Sequence, residues 1–170
     1  MTHFIGAALL TAGCGAVGLG AVSRLDGRVR DLRELAAGLD ALQRELGWRL
    51  TPLPAALAAA AGEAHGRAAA FFERCAQGTE KLDGRSFQQV WREGLEICPL
   101  QLEREDRELL EQLGPVLGRY DGDSQRRAIE DVLTRLERQI AQASENRRRL
   151  GRVYGVLGIT AGLFLTILLI

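Results

Sequence analysis

The stretch "GCGAVG", Gly13 to Gly18, carries three glycines at a spacing that could do chemistry. It matches G-x-G-x-x-G letter for letter, and Glu34 stands about where a ribose-binding acid would be sought. In that pattern the glycines let the backbone approach a dinucleotide pyrophosphate at the start of a helix. Such a site needs its glycines between a strand and a helix, within alternating strands and helices. Nothing after Arg24 supplies a second buried strand or a parallel sheet, so the match reads as chance in a segment rich in glycine and alanine.

"LLTAGC", ending at Cys14, has the outline of the lipidation box of bacterial lipoproteins. Thr11 stands where a bulky aliphatic is preferred, and no positive charge precedes the apolar run. A lipidated Cys14 would make the chain a lipid-anchored extracellular helical binding protein, which is the alternative reading. Cys14, Cys75 and Cys98 show no metal-ligand spacing, and their odd number argues against a disulfide framework. Cys75 and Cys98 are expected to fill core positions as small hydrophobes. His3 and His65 are too far apart to suggest a catalytic or metal pair. No Ser-His-Asp set, phosphate loop or paired carboxylate stands out. The expectation is a non-enzymatic protein without cofactor or metal.

The elements that would position any such groups are set by charge. The 170 residues carry 22 cationic and 22 anionic side chains, so the formal charge is zero, yet every one lies between Arg24 and Arg152. That balance lacks the net basic face of a nucleic-acid binder, and nucleic acid is not an expected partner. Residues 4–22 and 153–170 are uncharged and mostly apolar, each close to the ~20 residues a helix needs to cross a bilayer. They are expected to be retained membrane spans, giving an N-terminal transmembrane helix over 1–23, a cytoplasmic helical bundle over 24–152 and a C-terminal transmembrane helix over 153–170. Arg24, Arg28, Arg30 and Arg33 follow the first span; Arg147, Arg148, Arg149 and Arg152 precede the second. The positive-inside rule then places the middle in the cytoplasm and both termini outside. The second cluster is also expected to contact membrane lipid headgroups. Ala8, Ala12, Ala16 and Gly20 recur every fourth residue, and Gly155, Gly158 and Gly162 offer similar small-residue ridges for membrane helix packing.

The middle reads as all-α, a bundle of about five or six helices. Leu25, Val29, Leu32, Ala36, Leu39, Leu42 and Leu46 form one apolar stripe, which Gly47 closes as a C-cap. Thr51-Pro52-Leu53-Pro54 then begins a second helix over roughly 52–76. Thr51 is the expected N-cap, Pro52 the first helical residue, and Pro54 lies in the first turn, whose amides lack intrahelical partners. Residues 77–84 read as a loop. Ser86 and Gln89 fit a capping box for a third helix, with Phe87, Val90, Trp91, Gly94 and Leu95 facing inward and Pro99 ending it. A fourth helix is expected over about 102–113, stopped by Gly114-Pro115, and a last one from Ser124 with Asp121 or Asp123 as cap. The acidic run holds the candidates for partner docking: Glu103, Glu105, Asp106 and Glu108.

In order and in detail these features resemble the stage III sporulation AB protein family, membrane proteins of endospore-forming bacteria. The resemblance rests on the glycine-rich first span, "LDALQRELGWRLTPLPAAL", "FQQVWREGL", "LLEQLGPVLGRYD" with Gln125, and "RLGRVYGVLG" before the terminal span. His3 and Ala55 depart from it, standing where the family usually has a basic residue and a glutamate. The resemblance implies a fold similar to the cytoplasmic helical domain of type II secretion F proteins. It also implies a platform or adaptor role in a channel complex between mother cell and forespore, in the mother-cell membrane facing the forespore. The implied partners are the ATPase-like stage III sporulation AA protein and other members of that complex, with a possible homo-oligomer.

Overall fold

The computed structural model describes the backbone of residues 2–81, 84–118 and 121–169; side chains are described at 20, 23–81, 84–118, 121–151, 153 and 160. Within them the chain is all-helical: α1 (Thr2–Gly47), α2 (Leu53–Glu63), α3 (Gly66–Glu80), α4 (Phe87–Ile97), α5 (Arg104–Glu111), the single turn α6 (Gly114–Leu117) and α7 (Gly122–Leu169). It divides into two compact units. The helical body is Arg28–Ala141; the other unit joins Met1–Gly27 to Gln142–Ile170.

In the body the α1 stripe buries Val29, Leu32, Leu39, Leu42 and Leu46, and adds Leu35, which is fully buried. At Gly38 the ring of Phe72 occupies the space a Cβ would need, so glycine there permits α3 to press against α1. Gly47 is the last helical residue, but the left-handed position that ends the turn is Leu50, at φ 50°. The amide of Thr51 donates to the carbonyl of Glu45 at 3.0 Å and closes that turn.

The double-proline motif starts α2 one residue later than expected. Pro52 is the N-cap, with ψ 142°, and its carbonyl accepts from the amide of Ala56 at 2.9 Å. Pro54 falls in the first turn, where its missing N–H costs nothing. Thr51 does not cap. A residue before proline is pushed to extended backbone, and the Thr51 hydroxyl donates back to Glu45 Oε2 at 2.7 Å instead. The single helix expected over 52–76 is broken at Ala64–His65, both extended, and Gly66 has φ 60°. The break is held by Glu34, whose Oε2 accepts from the His65 amide at 2.9 Å. Tertiary contact here outweighs the helix propensity of the alanine run. α3 continues to Glu80, so the expected loop over 77–84 is shorter; a Cβ at Gly78 would collide with Val90 of α4.

The capping box of α4 forms as read, with Ser86 N donating to Gln89 Oε1 at 2.8 Å and Gln89 N to Ser86 Oγ at 3.3 Å. Phe87, Val90, Trp91, Gly94 and Leu95 are all buried. Trp91 centres the core: its ring packs edge-on against Phe71 with centroids 4.8 Å apart, and its Nε1–H donates to the Leu110 carbonyl at 2.8 Å. The fourth helix is shorter than expected, and Gly114-Pro115 begins α6 rather than only stopping α5. Asp121 directly precedes α7, which begins at Gly122, two residues before the start expected at Ser124. The Ser124 hydroxyl donates to its carboxylate and holds that carboxyl below its ordinary value. Ile129, Val132 and Leu136 of α7 are buried in the body.

In the other unit, Arg147 pairs with Asp26 and Ala143 is buried. α7 passes Gly151 without a break in its helix. A Cβ at Gly20 would meet nothing within 4 Å. Ala8, Ala12, Ala16, Gly155, Gly158 and Gly162 lie outside the residues whose side chains are described, as do most positions of the two expected spans. Among the described residues no helix is long and apolar enough to cross a membrane.

Candidate interaction surface

The acidic run divides between the surface and the interior. Glu105 and Glu108 are exposed, Glu108 in an i, i+4 pair with Arg104 at 2.6 Å. Glu103 is exposed too, but one of its oxygens lies 2.6 Å from Nη1 of Arg28. Asp106 is 0 % exposed and is not part of any docking face. Its carboxylate takes the Arg28 guanidinium side-on, at 2.8 Å from Nε and 3.0 Å from Nη2, and also accepts from the Glu103 amide at 2.9 Å. It is buried because the first turn of α5 is pinned to α1. Burial works against the Arg28 charge. The hydrogen bond to Asp106, its field and those of Glu103 and Glu105 more than offset this and raise the Arg28 pKa.

A second buried carboxylate lies one turn along α1. Asp31 accepts from Arg67 Nε at 3.1 Å and from the amide of Gln101 at 2.7 Å, tying α1 to α3 and to the segment before α5. Arg28 is expected from the sequence only as one of the arginines that mark topology, and Asp31 does not stand out there. A signal was present: both fall on the heptad-like stripe with Val29, Leu32 and Leu35, where an exposed charge does not belong. Glu34, considered above for ribose binding, instead holds the His65 backbone, with Nδ1 of that ring at 3.2 Å.

Gly13 to Gly18 lie inside α1 with no strand before them, so the arrangement a dinucleotide site requires is absent there. Among the described residues no group of three or more His, Cys, Asp or Glu side chains could hold a metal ion. Cys75 and Cys98 are buried and free, and Cys14 and His3 fall outside the described side chains. Burial pushes the Cys75 thiol well up, Cys98 adds in the same sense and Arg74 opposes. The unfolded thiol titrates near its ordinary 9.0, below the folded one. The unfolded state therefore loses its proton first, and this contribution to stability is fully present below 9.0 and lost as pH rises toward the folded value. Urea denaturation on either side of 9.0 should show an alkaline loss that Cys75→Ala reduces; an unchanged pH dependence would contradict the assignment.

Among the described residues the most exposed large apolar side chains are Trp48 at 84 % and Leu50 at 82 %, both on the turn between α1 and α2. That turn is ordered by Glu45, which accepts from Arg49 Nη1 at 2.9 Å and from the Thr51 hydroxyl at 2.7 Å.

The fold and surface define an all-helical bundle pinned internally by buried ion pairs, with charged and apolar groups offered outward. The family model described as "Stage III sporulation protein AB" matches residues 3–170. The stage III sporulation protein AB of Bacillus subtilis (strain 168) is 31% identical over 144 residues, covering 84% of either chain. A solved structure described as stage III sporulation protein AB has a TM-score of 0.66 and 29% identity, covering 72% of this chain and 98% of that one. The chain belongs to the stage III sporulation protein AB family, as its motifs implied.

Proposed function

We propose that this sporulation protein is a non-enzymatic, membrane-anchored platform subunit of the channel complex between mother cell and forespore, docking an ATPase-like partner. The observation that carries the reading is the family match over residues 3–170, a length that includes the helical body and the uncharged apolar segments on either side of it in sequence. In this reading residues 4–22 and 153–170 cross the mother-cell membrane. The arginines next to them hold 24–152 in the cytoplasm, with both termini outside. The body then acts like the cytoplasmic domain of type II secretion F proteins: a rigid surface held at the membrane for the ATPase-like stage III sporulation AA protein. Of the acidic run, Glu103, Glu105 and Glu108 remain available to such a partner.

Two readouts test this. With the native cysteines replaced and a single reporter at Arg85→Cys, a membrane-impermeant maleimide should label only after lysis. Labelling in intact cells would put the body outside; mass spectrometry of the N-terminus of the unaltered chain, whose Cys14 is intact, would then show whether that cysteine is lipidated. Full-length chain in detergent should also retain the purified ATPase-like partner, and Glu105→Arg with Glu108→Arg should weaken retention without changing the melting temperature. No retention by the unaltered chain would remove the platform reading.

A further inference from the structure

We draw no further inference here: the strongest candidate, the exposed apolar turn of Trp48 and Leu50 between α1 and α2, carries nothing, because Arg44, Arg49 and Arg126 are each paired with a neighbouring carboxylate and nothing in the structure shows what covers it.

Discussion

Asp106→Ala is expected to destabilise the helical body by about 3–5 kcal/mol, the cost of leaving a buried charge without its partner. The Arg28 side chain is 8 % exposed and Asp106 meets it at both oxygens, at 2.8 and 3.0 Å. The alanine would leave the guanidinium with Glu103, at 2.6 Å but more than half exposed, and with the long contact to Gln139. It would also free the Glu103 amide, which Asp106 caps at the start of α5. A partner that large in effect is not evidence that the pair itself is strongly stabilising, because both ions were desolvated to form it. Arg28→Met combined with Asp106→Leu removes both charges and fills similar volume, so it should recover most of the loss. Urea denaturation of the three proteins measures this. A loss below about 1 kcal/mol for Asp106→Ala would mean that water reaches the pair and screens it.

Trp91→Ala should cost a comparable 3–5 kcal/mol, through a cavity rather than a charge. Trp91 is 1 % exposed and lies among Phe71, Phe72 and Phe87, with ring centroids 4.8 to 6.4 Å away. Its indole edge also faces Gly114, where an added Cβ would already be 3.3 Å from Cδ1. Those neighbours belong to α3, α4 and α6, so the cavity cannot close by moving one element. Trp91→Phe separates two contributions. It keeps an aromatic ring among the others but removes the donor to Leu110 O, which still accepts from the Leu113 amide, and should cost less, about 1–3 kcal/mol, for lost volume and one lost hydrogen bond. Equal losses for Phe and Ala would show that the hydrogen bond matters and the packing does not, contrary to this account. Thermal unfolding of full-length variants distinguishes the cases.

Legibility in the sequence depended on the range over which the determining interaction acts. The capping box at Ser86 and Gln89, the inner face from Phe87 to Leu95 and the start of a helix at the double proline follow from neighbours within four residues, and each is present in the structure. Thr51 was misassigned as a cap because its hydroxyl is taken by Glu45, six residues back across a turn. The break at Ala64–His65 was hidden for the same reason. Alanines favour continuing the helix, and only Glu34, 31 residues away in the chain, holds the amide that interrupts it.

The acidic run shows the same limit at the candidate surface. Four carboxylates within six residues look alike in sequence, yet Asp106 faces Arg28 across 78 positions while Glu105 and Glu108 face solvent. Trp48 and Leu50 could have gone either way as well: apolar residues beside a helix end are usually core, and nothing local says that they stay exposed. The sequence by itself determined the helical class, most helix starts, the apolar stripe of α1 and the family, because periodicity, caps and motifs are properties of short stretches. Only the tertiary structure decided which charges are buried, where the alanine helix breaks and which apolar residues remain in water. Those outcomes depend on what lies opposite a side chain after the helices pack, and in this chain the opposing residue is tens of positions away.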